Sequence, residues 1–445
     1  MMKRVFLAGA CAAALTLFAA PASAQQAPGC AADPQAAGCG PLLIDVLQVQ
    51  NNDVSATVFI NGQTIVVTPP PTDGSPAEVT ATAITALTTG IGNNLTAQSQ
   101  GATAIRGTAT QELNGNVTAF STVVTTAPVP GVITTATSAF GNTAQAEACC
   151  GGMEVGFNQT VGAGGFAITA DSWVSTVQGL GTLSMSSTAS ANVVGTSATN
   201  GPITLTAAQT NGATVNSWSR GEACCNTGSI TVSSTAAANA VTSSSETSTV
   251  YTVVNQANTG FVSSTSDHST NSGRVITSVT QATGNSATLF NQWGYTDLRG
   301  TQTNGNGIRA EGYLTANNYV DAATAGATGQ ANSAIVSSRG SDALIDLDQY
   351  NGFGGGVEVI AQFDAASPSG GVGLATATAA GNSITGYVCT SCGQDQVKIE
   401  GFTTQVNDAN VTASTVMGAG TSGTLVGQAT AVGNTANFIA QRGSH

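Results

Sequence analysis

The chain has 445 residues, only 7% of which are charged, and its formal net charge is −13. Typical domains carry about 25% charged residues, so the composition excludes an ordinary charged globule. The 10 Lys and Arg residues form no basic patch, which excludes nucleic acid and an anionic membrane surface as partners. The 41% apolar fraction and the regular β-branched alternation argue against disorder of the whole chain.

Three segments follow one another along the chain. Residues 1–24 predict a signal peptide, because a basic start precedes an apolar run and Ala22-Ser23-Ala24 forms a small-residue cleavage site. Residues 25–77 predict a Cys- and Pro-rich leader, a β-hairpin with its turn at Asn61-Gly62, and a proline-rich linker. Residues 78–445 form a repeat array. We therefore expect a secreted protein with one long repeat domain.

The chain repeats a nine-residue pattern that starts on Gln and recurs about every 47 residues, and its first copy lies in the N-terminal segment, ahead of the array. The eight Gln residues are Gln48, Gln111, Gln159, Gln209, Gln256, Gln302, Gln349 and Gln405. A fixed period indicates stacked supersecondary units. Small or apolar residues alternate with polar ones, which predicts strands with one buried face. The sequence thus predicts an all-β fold, a β-solenoid (β-helix-like) repeat array with a small N-terminal β cap.

A second series, in which most members are Gly-Asn, interleaves with the first. Its candidate ladder residues are Asn93, Asn142, Asn239, Asn285, Asn382 and Asn434, with Gly195-Thr196 and Gly329-Gln330 in the two remaining places. We expect Gly to supply positive φ at the corners, and Gln and Asn to stack as amide ladders between neighbouring coils. One Asn site and one Gln site per period predict two β-coils or two strand-turn-strand arcs. About fifteen coils would form a rod on the order of 70 Å long.

Eight cysteines follow the signal peptide and fall in four local pairs. The pairs are Cys30/Cys39, Cys149/Cys150, Cys224/Cys225 and Cys389/Cys392. We interpret them as loop disulfides formed in an oxidising compartment. The first and last pairs can close small rings, whereas the adjacent pairs could form vicinal disulfides or bond to a partner chain. Only two His residues occur, so we expect no metal site built from Cys and His.

Candidate catalytic residues are few. Asp342, Asp346 and Asp348, followed by Glu358 and Asp364, are the best candidates, because β-helix glycosidases place carboxylates along a groove. Asp346 and Asp348 share one face of a strand, which would also suit Ca²⁺. We interpret these residues as solvated strand faces, and we predict no enzymatic activity and no cofactor.

Two further groups of residues could bear on function. The aromatic residues that could stack on sugar rings, if they shared one face, are Trp173, Trp218, Trp293, Tyr295, Tyr313 and Tyr350. Core or edge packing is the alternative role for these rings. Asp267-His268 has no Ser or Cys nucleophile motif around it, so we expect an exposed loop pair.

The repeats resemble known surface proteins. Gln281-Ala-Thr-Gly-Asn285-Ser-Ala287 and Gln330-Ala-Asn332-Ser-Ala334 resemble curlin repeats, which build β-arcs with Gln/Asn ladders in extracellular fibres. The chain as a whole, with its signal peptide, its segment Gln50–Gly62 and its Ala/Thr/Gly/Asn-rich array, resembles the HfaD family of holdfast anchor proteins. This resemblance implies an outer-membrane-associated protein at the cell surface. It also implies a surface polysaccharide, a curlin-like sibling and a lipoprotein secretion factor as partners.

We therefore expect a secreted cell-surface anchor or adhesin that tethers an adhesive polysaccharide, the holdfast, to the cell envelope. Repeating faces would make many weak contacts with the polymer, and avidity would make the attachment strong. One alternative is a self-assembling curlin-like fibre subunit, since open solenoid ends can pair with other copies. The other is a carbohydrate-active β-helix enzyme.

Overall fold

A computed structural model describes residues 22–25, 41–62, 65–66, 78–79, 83–101, 103–126, 128–177, 179–366, 371–389, 397–420 and 423–441. Within these ranges every regular element is a strand, and three parallel sheets stack into a solenoid. The predicted all-β solenoid is confirmed. The same ranges hold no helix capable of spanning a membrane.

The strands take their positions in chain order. They are β1 (Ala22–Gln25), β2 (Leu42–Gln50), β3 (Val54–Gly62), β4 (Ile65–Val66), β5 (Glu78–Val79), β6 (Ala83–Ser99), β7 (Ile105–Leu113), β8 (Val117–Thr125), β9 (Val129–Ala148), β10 (Met153–Val161), β11 (Ala167–Thr176), β12 (Leu180–Ala198), β13 (Ile203–Asn211), β14 (Thr214–Ala223), β15 (Ile230–Glu246), β16 (Val250–Asn258), β17 (Val262–Thr270), β18 (Gly273–Gln292), β19 (Thr296–Asn304), β20 (Ile308–Ala316), β21 (Tyr319–Arg339), β22 (Ala343–Asn351), β23 (Val357–Ala365), β24 (Val372–Cys389), β25 (Ile399–Asn407), β26 (Val411–Ala419) and β27 (Thr424–Gln441).

Each repeat period forms one coil of three strands. Sheet B holds β2, β7, β10, β13, β16, β19, β22 and β25; sheet C holds β3, β8, β11, β14, β17, β20, β23 and β26; sheet A holds β6, β9, β12, β15, β18, β21, β24 and β27, with β1 at its edge. The chain passes from B to C to A and then repeats, which gives eight coils. The prediction of two coils per period is wrong, because the Asn and Gln sites lie on different strands of one coil. At about 4.8 Å per coil the rod is roughly 40 Å long.

The sheet A strands are the longest, and each one spans both other sheets. In β9, Ile133 and Ala139 pack in one apolar core with Ile168 of sheet C. Beyond the middle of the strand, Ala146 packs in a second core with Phe157 of sheet B. Full burial of a side chain such as Ile133 or Ile168 stabilises the fold by about 1.5–3 kcal/mol. Two thin cores filled by Ala and β-branched residues therefore lie side by side, with the middle of sheet A between them.

Some corner glycines, such as Gly101, Gly165 and Gly340, adopt positive φ as predicted, whereas the Gly-Asn glycines do not. The glycines with positive φ in the described ranges are Gly101, Gly107, Gly165, Gly300 and Gly340. At Gly92 an added Cβ would lie 2.6 Å from the carbonyl oxygen of Gly141 in the next coil. At Gly381 it would lie 2.4 Å from the carbonyl oxygen of Gly433. Close approach of the next coil, rather than a corner conformation, favours Gly at these sites.

The N-terminal strands join the array directly. β2 and β3 pair in parallel with β7 and β8, so they are the first sheet B and sheet C strands. The hairpin predicted at Asn61-Gly62 does not form as expected, because Ile65–Val66 pairs antiparallel with Glu78–Val79 rather than with β3. Parallel pairing along nine residues outweighs the local Asn-Gly turn signal.

Candidate functional site

The eight predicted Gln residues lie in register at one position of sheet B. Each Gln Nε2 from Gln111 onward donates to the Oε1 of the Gln in the preceding coil, at 2.7–2.8 Å. The six inner members are at most 2% exposed. Sheet B thus presents a continuous, buried ladder of glutamine amides.

The second ladder lies in the middle of the sheet A strands, and its amides donate in the opposite direction. Each Asn Nδ2 donates to the Oδ1 of the Asn in the following coil, at 2.8–2.9 Å. Its members are Asn93, Asn142, Asn192, Asn239, Asn285, Asn332, Asn382 and Asn434.

Two places in this series differ from the sequence analysis. Asn192 and Asn332 occupy the positions that had been assigned to Thr196 and Gln330. Spacing could have identified Asn192, because Asn142 and Asn192 are 50 residues apart, as are Gln159 and Gln209. Ala rather than Gly precedes the Asn in these two coils, as it also does at Asn239.

The two ladders also join sheet A to sheet B. Gln256 Nε2 donates to the Ser286 carbonyl oxygen of the same coil at 2.8 Å. Asn285 Nδ2 donates to the Thr303 carbonyl oxygen in the next coil at 2.8 Å. Except for Gln48 and Asn434 at the ends of the ladders, each amide therefore uses one proton along its ladder and the other across the sheets. We call the eight Gln and eight Asn residues of the two ladders the amide junction. It closes the gap between the two apolar cores, and its inner members have partners for both amide protons.

A third ladder was missed by the sequence analysis. It runs through Asn211, Asn258, Asn304, Asn351 and Asn407, with Nδ2-to-Oδ1 distances of 2.7–2.9 Å. The signal was present, because each of these residues stands two positions after a ladder Gln. Asn258 Nδ2 also donates to the Gly260 carbonyl oxygen at 2.9 Å, so this ladder fixes the corner between sheets B and C.

The adjacent cysteine pairs lie at different corners of the coil. Cys149 and Cys150 follow a sheet A strand, whereas Cys224 and Cys225 follow a sheet C strand, and all four thiols are free. A hydrogen bond with Cys149 raises the pKa of Cys150, and one with Cys224 raises that of Cys225. Cys389 ends β24, and its predicted partner Cys392 lies outside the described residues, as do Cys30 and Cys39. Disulfides at these pairs stay a prediction.

The candidate catalytic carboxylates do not converge. Asp346 and Asp348 are exposed on the outer face of sheet B, and Asp342 accepts a hydrogen bond from the Lys398 backbone at 2.7 Å. Glu358 and Asp364 lie on β23, in sheet C. Within the described ranges no group of three or more His, Cys, Asp or Glu side chains could hold a metal ion.

The outer face of sheet C brings together aromatic and charged side chains from separate coils. Trp173 and Trp218 lie on neighbouring strands, and Arg220 stands next to Trp173 in register. The Arg220 guanidinium lies 5.8 Å from the Trp173 ring centroid and 5.3 Å from that of Trp218, and it pairs with Asp171. Cation–π attraction and this ion pair hold both indoles in place on the sheet. We call this set, with Asp267, Glu311 and Tyr313, the aromatic face.

Two side chains of the aromatic face, Asp267 and Tyr313, have raised pKa values. Asp267 lies between Arg220 and Tyr313 in register. Burial raises the pKa of Asp267, Arg220 opposes that shift and Glu222 adds to it. Burial, followed by the 2.9 Å hydrogen bond that Tyr313 donates to Glu311, raises the pKa of Tyr313 to about 12. The face therefore offers flat rings and carboxylate acceptors, which suit a neutral, hydroxyl-rich ligand.

The remaining candidate aromatic residues lie elsewhere. Trp293 lies in the turn between β18 and β19, and Tyr295 packs edge-on against Tyr251 with ring centroids 6.1 Å apart. Tyr350 is exposed on sheet B. Of the six predicted aromatic residues, only Trp173, Trp218 and Tyr313 share one face. The candidate sugar-stacking surface therefore contains fewer rings than the sequence predicts.

His268 is not part of an exposed loop, contrary to the prediction. It lies in β17 with 0% exposure and points inward, while the adjacent Asp267 points outward. Neither ring nitrogen has a hydrogen-bond partner. Burial lowers the pKa of His268 to about 4, so the ring is neutral at pH 7. Successive side chains of a strand point to opposite faces of the sheet, which places these two neighbours in opposite environments.

Comparison with known proteins gives one match. Residues 78–355 match the sequence model of a family described as holdfast attachment protein D. No curated protein and no solved structure matches the chain. The matched range covers more than half of the chain and contains six of the ladder Gln residues and both tryptophans of the aromatic face. The chain therefore belongs to the holdfast attachment protein D family.

Proposed function

We propose that this protein is secreted to the outer surface of the cell, where it tethers the holdfast polysaccharide to the envelope. Family membership supports a role in holdfast attachment. The observation that carries the tethering role is the aromatic face, where Arg220 holds Trp173 and Trp218 side by side. The partners are those that the resemblance implies, namely the polysaccharide, a curlin-like sibling and a lipoprotein secretion factor.

The chemistry of the aromatic face fits a glycan. Sugar rings present apolar C–H faces that can stack on indole planes, and hydroxyl groups that can donate to carboxylates. Asp267 and Glu311 lie on the two coils that follow that of Trp218, and Asp267 stands next to Arg220 and Tyr313 in register. Rigid rings lose little conformational entropy on binding, and Trp, Tyr and Arg dominate binding energy at interfaces.

Avidity supplies the strength of attachment. A single shallow face without a closed pocket binds a sugar weakly, because little of the ligand is removed from water. A long polymer can contact many copies of the face at once, so each dissociation event is followed by intramolecular rebinding. This arrangement needs a rigid support, which the solenoid provides.

The first test concerns the aromatic face. We expect the Trp173→Ala/Trp218→Ala double variant to bind purified holdfast polysaccharide at least about tenfold more weakly in biolayer interferometry. The matched control is Phe290→Ala, which removes an exposed ring from the outer face of sheet A. Equal melting temperatures would show that both variants fold. Unchanged polysaccharide binding by the folded double variant would exclude this face.

The second test concerns the role in the cell. We expect cells without the gene to make adhesive polymer but to shed it and to wash off glass. A gene copy encoding the wild-type chain should restore attachment, and one encoding the double tryptophan variant should restore it only in part. Cells that remain attached while the polymer accumulates or changes length would contradict tethering and favour the carbohydrate-active enzyme.

A further inference from the structure

Large apolar side chains alternate between two neighbouring rows on the outer face of sheet C. One row contains Phe120, Trp218 and Ile360, and the other contains Trp173 and Tyr313. All five side chains are half-buried, so part of each is open to solvent. The two rows are two residues apart along the strands, which is about 7 Å. We call these five side chains the axial stripe, because together they extend across six consecutive coils, parallel to the rod.

The stacking of the coils sets the spacing along the axial stripe. Neighbouring strands lie about 4.8 Å apart, so Trp173 and Trp218 are one coil step apart along the rod, and Phe120 precedes Trp173 by one more step. From Phe120 to Ile360 the stripe covers about 24 Å. One coil step is close to the length that one pyranose ring adds to an extended polysaccharide chain. An extended chain parallel to the rod can therefore place about one ring on each coil.

The axial stripe has one break, at the coil of β17. There the two rows contain Thr265 and Asp267. Thr265 Oγ1 donates to a Glu311 carboxylate oxygen at 3.4 Å, and Asp267 stands next to Arg220 and Tyr313 in register. A sugar on this coil can donate hydroxyl protons to the Asp267 carboxylate, whereas sugars on the coils before and after it stack on a ring. The break therefore supplies a polar contact and does not end the path.

A sugar chain that followed a strand instead would stack on one ring only. The outer face of β11 presents Asp171 and Ser175 beside Trp173. The outer face of β14 presents Asn216 beside Trp218. None of these three flanking side chains has a flat apolar surface of the kind that stacks on a sugar ring. Stacking therefore favours the direction of the rod over the direction of the strands.

The charges on the outer face of sheet C restrict the chemistry of the chain that it can bind. Its two arginines, Arg220 and Arg309, are each paired with carboxylates of the same face. Glu222, Asp267 and Asp364 form no ion pair with any other described residue. An acidic polymer would meet these uncompensated carboxylates, and like charges across a contact weaken binding. The face therefore suits a polymer without acidic groups.

We propose that one extended polysaccharide chain without acidic groups lies along the axial stripe, parallel to the rod, with about one sugar ring on each coil. This inference rests on the proposed glycan binding and adds a direction, a length and a chemical class to it. The six coils of the stripe contact about six consecutive rings. Each ring alone binds weakly, and the fixed spacing of the coils lets the contacts of one chain act together.

The dependence of affinity on chain length tests the direction. Purified holdfast polysaccharide can be partly hydrolysed and fractionated by size, and each fraction titrated into the protein by isothermal calorimetry. We expect the Kd to fall at least about tenfold between fragments of two and six rings, and less than about twofold from six to eight rings. An affinity that stops rising at two rings would overturn the axial direction, because a chain along a strand stacks on one ring.

A matched pair of variants tests the same point. Phe120→Ala/Tyr313→Ala removes the rings on either side of the two tryptophans along the rod. We expect it to weaken binding of six-ring fragments at least about tenfold and of two-ring fragments less than about twofold. The control, Ser175→Ala/Asn216→Ala, changes positions beside the tryptophans along the strands and should weaken neither fragment more than about twofold. Equal melting temperatures would show that both variants fold. Unchanged six-ring binding by the folded ring variant, or a larger loss in the control, would overturn the proposal.

A polymer of the opposite chemistry tests the chemical class. Oligogalacturonate of six rings is extended and carries one carboxylate on each ring. We expect it to bind at least about tenfold more weakly than six-ring holdfast fragments. Equal binding of the two would overturn the restriction to chains without acidic groups.

Failure of glycan binding itself would give a different result. A wild-type protein that binds no fragment, or a Trp173→Ala/Trp218→Ala variant that binds every fragment as the wild type does, would contradict the proposed function. Binding that depends on the two tryptophans but not on Phe120, Tyr313 or chain length would contradict the axial direction alone.

Discussion

Two buried polar regions of the solenoid show different ways of hydrogen bonding in a thin core. The amide junction repeats in every coil, and each inner member has partners for both amide protons and its oxygen. The second region is a hydroxyl cluster in the core between sheets A and C, which occurs only in the middle coils. It consists of Ser187, Ser217, Ser219, Ser234, Ser264, Ser266, Ser278 and Thr280. His268 lies beside it and bonds to none of them.

The difference follows from donor geometry. A primary amide has two protons in a plane, so it can bond along the rod and across the sheets at once. A hydroxyl has one proton and must either continue a chain or bond the backbone. A neutral imidazole needs one donor and one acceptor placed at fixed angles, which the strands around His268 do not provide. A buried polar side chain that recurs in every coil must bond along the rod and across the sheets at once, which favours amides. The hydroxyl cluster and His268 occur only in some coils and depend on local packing.

The largest expected effect is the loss of one inner rung. Asn239→Leu removes bonds to Asn192, Asn285 and the Ala257 carbonyl oxygen, and it leaves buried partners unpaired. We expect a loss of roughly 3–6 kcal/mol in the free energy of unfolding. Urea denaturation followed by far-UV circular dichroism measures it.

The matched control for this rung is Asn255→Leu, which places the same change on the exposed face of sheet B. It should alter stability by less than about 0.5 kcal/mol. Comparable losses in both variants would show that the ladder adds nothing beyond ordinary strand packing.

The next effect is a pH dependence that arises from His268. Because its pKa falls from the usual 6.5 to about 4, the unfolded chain binds a proton below pH 6.5 that the folded chain does not bind. Stability from this group is complete above pH 6.5 and is lost as the pH falls from 6.5 to 4. The total loss is on the order of 3 kcal/mol.

His268→Leu removes this titration while retaining an apolar side chain beside Gly221. We expect the variant to gain stability relative to the wild type as the pH drops below 6.5. Above pH 7 the difference in stability between the two proteins should stay constant. Asp267 titrates in both proteins, so it cancels from the difference. If the melting temperatures of the two proteins changed by the same amount between pH 7 and pH 4, this result would contradict a buried, neutral His268.

The smallest effect concerns the hydroxyl cluster. Ser234→Ala removes bonds to Ser217 and Ser264 but leaves neighbours that can reorient their own hydroxyls. We expect a loss of about 1 kcal/mol in the free energy of unfolding. Ser233→Ala, on the outer face of the same strand, is the control and should change stability less. A loss as large as that of Asn239→Leu would remove the distinction between the two regions.

The sequence alone determined the register of the array. Eight Gln residues at similar spacing indicated one repeated position, and a residue that recurs once per coil must stack on its equivalents. The composition and the alternation of apolar with polar residues determined the all-β class. The signal peptide, the segment Gln50–Gly62 and the Ala/Thr/Gly/Asn-rich array indicated the family. Asn258 and its equivalents were also readable, because they stand two residues after the ladder Gln.

Only the tertiary structure decided how many strands make a coil and which side chains meet across it. The ladder Asn and Gln residues are 17 or 18 positions apart in most coils, a distance that fits either two short coils or two strands of one coil. Burial decides between them, because the first part of each long sheet A strand packs against sheet C and the second part against sheet B. The aromatic face has the same origin, because Trp173 and Trp218 are 45 residues apart and meet only when two coils stack. Local propensity and spacing act along the chain, whereas coil closure depends on burying two apolar faces at once, and no single strand carries that information.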